Sequence, residues 1–585
     1  MEHKKFEDIT ESEAQKITDD IWDAIWSDIP RREQVYRDEP FTRAMICYFM
    51  WKIKTNPGIK TPADLRDSYH VDAFYSYTLD MDDFSDILED PENAGEWNRV
   101  KQVAYSYTAD ELSACILKTD NLSHGPENYE EIPYSITDLS NQLLGIDGED
   151  TVLDYNCGRG GYYFRSMVKN EGGKYVCMSN DAHYRYIRAA FMRADVLGYS
   201  NCVFCDDDDR LYSDYYDDID ITKSVIDAFV IPGKRGTAIV YSDVADLWKE
   251  FPNNNFNAWS DCACAIADMK FEGRAVALMT AGDLTVKTAE EGRGFLCDNG
   301  FIEGVIALPD KMFKSTWINS FLVILSTGNS EVKFLDARKK YIAQRENGKR
   351  VNVFSDELID EILNDYEKNA IYVNREKIAE TGFNLSPMRY LHEENIKTDY
   401  IELGDVLQEI RRGLSIKASE MDNYISYDST GTPCIKAANI TNGIVDTNEC
   451  YNGERKHPDK NVCWNEDILI TKTGNPFRVA MADDRYLVIG NIYILKVVSD
   501  KISPYYVKCF LNSNAGQKEL RRLSVGSTTP ILNISDVKKI RIPVYDDRKQ
   551  QELERHAKEI EDELRGHYKQ LRTSEEEIQH MFDEE

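Results

Sequence analysis

Apolar positions over residues 1–125 recur at helical spacing. In AQKITDDIWDAIWSDI, Ile17, Ile21, Trp22, Ile25 and Trp26 fall on one helix face, and FTRAMICYFMWKI is similarly dense. This predicts a helical amino-terminal domain. Over residues 126–345 the period shortens: the β-branched runs TVLDY, KYVCMS, NCVFC, AVALMT, FIEGVIAL and SFLVILS alternate with helical segments. That alternation predicts an α/β domain with a doubly wound, mostly parallel sheet. Residues 346–400 predict a helical connector, clearest in ELIDEILNDY and closing at GFNLSPMRYL. Residues 401–545 mix short strands and turns, as in GTPCIKAANI and EDILITKTGNP, and predict a compact α/β module. Over residues 546–585 a heptad spacing runs through Leu553, Ala557, Ile560, Leu564, His567, Leu571, Ser574, Ile578 and Met581, which predicts a long coiled-coil helix.

Charge narrows the functions open to such a chain. Its 585 residues hold 103 Asp and Glu against 70 Lys and Arg, a formal net charge of −33. A polyanion held by overall charge alone is excluded, so any nucleic-acid contact must be local. Residues 401–545 are the least acidic part, with 19 Lys and Arg against 17 Asp and Glu. No apolar run approaches the roughly 18 residues a membrane helix needs, and MEHKKFEDITESEAQ lacks the apolar core of a signal peptide, so a cytoplasmic location without membrane contact is expected. The 13 cysteines are scattered through apolar stretches, a pattern of reduced thiols. Cys202 and Cys205 have CxxC spacing, but with no second pair or histidine cluster beside them they read as core thiols, and no metal site is expected.

The segment TVLDYNCGRGGYY puts a glycine-rich turn directly after an apolar strand. In an open α/β sheet that turn lies at the carboxyl edge, where ligands bind. Gly158, Gly160 and Gly161 let the backbone bend and approach a ligand, and Asp154 can accept a hydrogen bond from an amine or hydroxyl. Asp181 follows the second strand, where an acid meets ribose hydroxyls, and Asp206 ends the third, within reach of an adenine edge. The turn alone also fits a purely structural bend; three acids at successive strand ends point to an adenosine-type pocket.

These residues carry a resemblance. LDYNCGRGG is similar, in Asp154, Cys157, Gly158, Gly160 and Gly161, to the nucleotide-binding turn of the adenine-N6 DNA methyltransferase (modification) subunit of type I restriction-modification systems. FEGRAVALMTAGDL, GFIEGVIALPDKMFKSTWINSFLVILS, VKFLDARKKY and NLSPMRYL resemble further blocks of that family, in its order, over residues 130–391. The resemblance implies a Rossmann-like core that binds S-adenosylmethionine. It also implies that PYSITDLSNQLL is a lead-in helix whose start, at Tyr134 and Thr137, helps hold the methionine end. The remainder, including IKAANITNGIV, DILITKTGNPFRVAM and VGSTTPILNISDVKKIRIPV, resembles a target recognition domain of the matching specificity subunit with its spacer helix. Double-stranded DNA is the implied partner. Arg411, Arg412, Lys472, Arg478, Arg521 and Arg522 are then candidate contacts along one groove, helped by Thr471, Thr473, Asn475, Ser527, Thr528 and Thr529. Without the resemblance the same cations read as a solvated surface.

One departure bears on activity. Members of this family carry Asn-Pro-Pro-Tyr or Asn-Pro-Pro-Phe after the fourth strand, and the chain has neither. Such a loop accepts hydrogen bonds from the exocyclic amine, aiming its lone pair at the methyl group, while the aromatic ring stacks on the flipped base. By order it belongs between Asp206 and Trp259, where DDIDITKSVIDAF is the positional candidate; Ile221, Thr222, Lys223 and Ser224 supply neither prolines nor a ring. No catalytic residue is assigned. Two readings stay open: a site-specific DNA methyltransferase, acting as a homodimer or with other subunits through its terminal helix, or a catalytically inactive DNA-binding scaffold.

Overall fold

The computed structural model describes residues 4–26, 40–60, 64, 94–118, 132–169, 173–179, 184–199, 201–206, 219–228, 251, 258–269, 272–391 except 315, 317 and 347, and 399–580 except 422, 427–430, 448, 454–458 and 525–529. The chain divides into two compact units, Met1–Pro387 and Met388–Glu585.

Among the described residues, unit 1 is built on a nine-stranded sheet in the order β11-β8-β6-β7-β5-β4-β1-β2-β3. The strands are β1 (Thr151–Tyr155), β2 (Lys174–Ser179), β3 (Cys202–Asp206), β4 (Lys223–Asp227), β5 (Arg274–Thr280), β6 (Ile302–Ala307), β7 (Ser320–Leu325), β8 (Glu331–Asp336) and β11 (Ile371–Asn374). A separate two-stranded ribbon, β9 (Ile342–Glu346) with β10 (Lys349–Val353), lies between β8 and β11 in the chain. Every residue of β1 and β7 is buried, the continuous apolar pattern of strands covered on both faces. The sheet is parallel except at β7, antiparallel to both β5 and β6, and at β11, antiparallel to β8. From β1 the chain winds outward through β2 and β3, then crosses back to place β4 and β5 on the other side. That reversal makes the carboxyl ends of β1 and β4 a topological switch point, where two crossovers leave in opposite directions and open a crevice.

Helices cover the sheet. Tyr134–Leu144 and Gly161–Lys169 supply Ile136, Leu139, Tyr162 and Phe164 to the core shared with Val152, Val225 and Leu278. The helix Asp356–Lys368 buries Ile359, Ile362 and Tyr366 in the same core. Residues 349–374, expected within a connector, therefore complete unit 1: the amphipathic helix was legible, but its apolar face turns onto the sheet, and β11 adds an edge strand. Four helices, Glu11–Trp26, Pro40–Thr55, Ala94–Ala104 and Ala109–Leu117, make a second core through Ile21, Trp22, Ile25, Phe49, Val100 and Leu112. It packs on the helix Tyr184–Leu197 through Ala189 and Met192, and Asp195 there takes Lys52 at 2.5 Å and the Tyr48 hydroxyl at 2.6 Å.

Unit 2 holds an antiparallel four-stranded sheet, Leu407–Arg412, Ile492–Val497, Ile468–Thr471 and Val479–Met481 in that order, and a five-stranded sheet of short strands. Helices Pro504–Asn512 and Asn514–Leu523 close its main core through Val507, Leu511, Leu520 and Leu523. The last helix, Asp547–His580, is held along one side: Glu554 accepts from Ser503, Glu561 from Tyr505 and Lys508, and Tyr568 from Asn442. Among the described residues no helix is long and apolar enough to cross a membrane.

Candidate functional site

The switch point holds a narrow hollow lined by Ile132, Asp154, Asn156, Cys157, Gly161, Tyr162 and Asp227. β1 delivers Asp154 and β4 delivers Asp227; Tyr155 pairs with Ile226 in register, so the two acids leave neighbouring strand ends. The turn that follows β1 is strained in a way its sequence permits. Asn156 has φ 62°, Gly158 54° and Gly160 78°, all left-handed. A Cβ on Gly160 would stand 2.8 Å from the Phe164 ring and 3.2 Å from Ala190 Cβ, so only glycine fits there. The Cys157 N–H donates to the Met178 carbonyl at 2.9 Å, tying the turn to β2, and Gly161 opens the helix Gly161–Lys169 beneath the hollow.

Asp154 is 1% exposed, and neither carboxylate oxygen has a hydrogen-bond partner among the described residues. Burial, with the nearby Asp227 adding to it, pushes its carboxyl up to about 8, against a smaller opposing pull from the Tyr163 backbone. Such an orphan is expensive in a fold that makes no use of it. The Asn156 amide donates to the Asp227 carbonyl and to Asp261 Oδ2, each at 3.3 Å, fixing the turn against β4. Tyr162 donates its hydroxyl to Asn141 Oδ1, which also accepts from Ser166 at 3.0 Å, so the wall of the hollow is braced by the lead-in helix. In the first turn of that helix Ser135 Oγ and Thr137 Oγ1 are buried without a partner among the described residues.

The structure thus brings Asp154, Cys157 and Gly161 to one hollow, with Gly158 and Gly160 shaping the turn beside it. Burial and the neighbouring Cys177 push the Cys157 thiol up, so it stands there as a neutral group. Tyr134 is exposed, with Arg165 over its ring at 5.2 Å, and Thr137 is fully buried; neither lines the hollow. Asp206 closes β3 in register with Ser179, and Asp181 lies outside the described residues. The segment DDIDITKSVIDAF, placed by order as the acceptor loop, contains the whole of β4. Ile221 and Thr222 precede β4, and Lys223 and Ser224 form its amino end; the carboxyl end, where a loop would meet the hollow, is Asp227–Ala228. Asp227, Asn156 and Ile132 were missed. The signal for Asp227 was present in SVIDAF, an apolar run ending on an acid like the one in TVLDY.

The recess between the described residues is too narrow to admit a water molecule, whereas most ligand sites hold roughly 300–1,000 Å³. Residues 207–218 and 229–250, which follow β3 and β4 in the sequence, lie outside the described residues. The chemistry of the donor set fits S-adenosylmethionine: a buried carboxylate seeking a donor, a glycine cradle and a helix start.

In unit 2 the six candidate DNA-contact cations separate. Arg411 pairs with Asp467 at 2.9 Å and donates to the Val462 carbonyl, and Arg522 makes a two-pronged pair with Glu519 at 2.8 and 2.7 Å. Arg522 is buried and Arg411 half-buried with its side chain 10% exposed, and both are committed to carboxylates of the fold, which takes them out of a contact surface. Arg412, Arg478 and Arg521 are exposed; Arg478 donates to the Ala437 carbonyl at 2.8 Å and Arg521 to that of Gln517 at 3.2 Å. Lys472 is half-buried, with no acidic partner among the described residues. Thr471 is buried and accepts the Arg478 N–H, and Ser527, Thr528 and Thr529 lie outside the described residues.

Comparison with known proteins finds matches in two parts of the chain. Residues 241–399 match the N-6 DNA methylase family, a range that starts beyond the turn after β1, and residues 395–562 match the type I restriction modification DNA specificity domain. The chain is 26% identical over 135 residues to the type I restriction enzyme MpnII methylase subunit of Mycoplasma pneumoniae, covering 22% of this chain and 25% of that protein. It is 26% identical over 174 residues to the MjaVIII methylase subunit of Methanocaldococcus jannaschii, covering 28% and 29%. The matched stretch thus spans little more than a quarter of either relative. Among solved structures, the type I methyltransferase subunit from Streptococcus thermophilus aligns with TM-score 0.41 at 18% identity, over 59% of this chain and 80% of that one. The type ISP enzyme LlaGI, lacking its nuclease and bound to a DNA substrate mimic, aligns with TM-score 0.47 at 11% identity, over 93% and 67%. One polypeptide is thus similar to an N-6 DNA methylase over residues 241–399 and to a type I restriction modification DNA specificity domain over residues 395–562.

Proposed function

We propose that this protein is a site-specific DNA methyltransferase that binds S-adenosylmethionine at the carboxyl ends of β1 and β4 and transfers its methyl group to adenine N6 in duplex DNA read by unit 2. The observation that carries this reading is the buried, unpartnered Asp154 facing the hollow at the switch point. Asp154 would accept from an amine or hydroxyl of the cofactor, Gly158 and Gly160 would let the backbone close on it, and Thr137 would serve its methionine end from the lead-in helix. When bound, the cofactor supplies an electrophilic methyl group. Asp227 ends β4 where an acceptor for the exocyclic amine is required, and its carboxylate would draw the amine protons so that the nitrogen lone pair turns toward the methyl carbon. Arg412, Lys472, Arg478 and Arg521 remain for phosphate or base contacts.

A second reading, an inactive scaffold that holds DNA, is favoured by the missing Asn-Pro-Pro-Tyr/Phe loop: Ala228 stands where the first proline would follow Asp227. Incubation with labelled cofactor and duplexes of varied sequence decides between them. Label on adenine N6, lost in Asp227→Ala, is expected; cofactor binding without transfer would establish the scaffold. Assembly belongs to the same proposal. Leu553, Ile560, Leu571 and Ile578 lie exposed on one stripe of the last helix, and pairing two copies there would let one specificity domain per chain read two like half-sites.

A further inference from the structure

Residues 338–350, RKKYIAQRENGKR, hold six Lys or Arg and one Glu in a chain of net charge −33. They form the approach to β9 and most of the β9–β10 ribbon, which follows the carboxyl end of β8. β8 runs parallel to β6 and, through the antiparallel β7, in the same direction as β5, β4 and β1. The ribbon therefore leaves the sheet at the edge that carries Asp154 and Asp227. Five strand intervals separate β8 from β1; at about 4.8 Å each the two strand ends lie on the order of 24 Å apart, less than one duplex turn of about 34 Å.

The base of the ribbon is rigid and electrically settled. Val351 and Asn352 are buried; the Asn352 N–H donates to the Lys311 carbonyl at 2.9 Å and its side-chain amide to the Asp310 carbonyl at 2.7 Å. Arg338 is paired twice with Asp336, at 2.8 and 2.9 Å, and Lys340 with Glu361 and Asp365. Further out the pairing stops. Lys339, Arg345 and Arg350 are exposed, and none has an acidic partner among the described side chains, which leave out that of Glu346. Arg345 stands directly opposite Arg350 in the antiparallel register. Like charges facing each other across two strands oppose pairing, and no packing requirement explains them on an exposed ribbon. An anion between the two guanidinium groups removes the repulsion, and their planar forks match phosphate oxygens.

We infer that the β9–β10 ribbon is a second DNA-contact element, in which Arg345 and Arg350 grip the phosphate backbone beside the catalytic edge, independently of sequence. The inference rests on the methyltransferase reading. Its test uses the full chain and labelled random-sequence duplexes, with affinity followed by anisotropy from about 50 to 200 mM salt. Arg345→Gln with Arg350→Gln should lower the slope of log affinity against log salt by about 2, since each lost phosphate contact removes about 0.9. Affinity at low salt should fall roughly tenfold on every duplex. Cofactor binding should stay unchanged, and Tm should be equal or higher because the facing charges are gone. An unchanged slope, with the wild type binding duplex normally, overturns the ribbon alone. A wild type that binds no duplex in a salt-dependent way overturns the ribbon and the DNA reading together. A loss confined to single-stranded RNA also overturns it.

Discussion

Glu519 in unit 2 is buried between Arg522 and Arg541, with oxygens 2.7–3.1 Å from their guanidinium nitrogens. Asp154 in unit 1 is buried more deeply, with no cation beside it among the described residues and a second acid at the same strand edge. Burial acts on both carboxyls in the same direction, upward. In Glu519 the two arginines outweigh it and hold the group below its ordinary value, whereas Asp154 rises to about 8. A buried acid surrounded by its own cations is explained by the fold that holds it. One that faces a hollow without them is explained by what enters the hollow.

The contrast is sharpest in what removal of each acid should do. Glu519→Ala leaves Arg522 buried and unpaired, and should cost about 3–5 kcal/mol of unit 2 stability with cofactor affinity untouched. Denaturant titration of the full chain checks it, and a loss under about 1 kcal/mol would mean that the pair behaves as a surface pair. Asp154→Asn should do the reverse. Cofactor affinity by calorimetry should fall about 100-fold, the upper range for a charge-assisted hydrogen bond, while stability at neutral pH is unchanged or raised. If binding persisted, Asp154 would not be the ligand's acceptor.

How much of this was legible follows from the same residues. β1 and its turn could be read locally, because an unbroken apolar run followed by Asn and three glycines has few other folds. Directions within the sheet could not: the run SFLVILS looks the same whether β7 enters parallel or antiparallel. Asp227 gains its meaning only when a crossover sets β4 against β1, and Arg411 and Arg522 look like any surface arginines until Asp467 and Glu519 are placed against them. The basic run before β9 was visible as part of a resembling block, but not the register that sets Arg345 against Arg350.

Titration offers a milder test. Because the folded Asp154 holds its proton up to about pH 8 and an unfolded aspartate releases it near 4, the native state binds more protons between those values. This group therefore makes stability fall as pH rises through that window and has no further effect above it. Asp154→Asn should lack that component, so the wild-type Tm should decline relative to the variant from about pH 5 to 8. Donation to Asp154 by the cofactor should restore the ionised form, releasing up to about one proton per site at pH 7, which calorimetry in buffers of different ionisation heat would register. Parallel pH profiles for the two proteins would contradict the assignment.

The smallest effect separates two neighbours. Arg411 and Arg412 are adjacent on one strand, so their side chains leave opposite faces. Arg411 turns inward to Asp467, and Arg412 turns outward, with its guanidinium 6.0 Å from the Tyr493 ring centre. Arg411→Gln should therefore destabilise unit 2 and leave the salt slope of duplex binding unchanged wherever the protein is folded. Arg412→Gln should leave Tm within experimental error and lower that slope by about 0.9, with a few-fold loss of affinity. Such an exchange of phenotypes between consecutive residues follows only if the inward cation serves the fold and the outward one meets DNA; a slope change in Arg411→Gln, or none in Arg412→Gln, would dissolve the distinction on which the remaining contact surface is drawn.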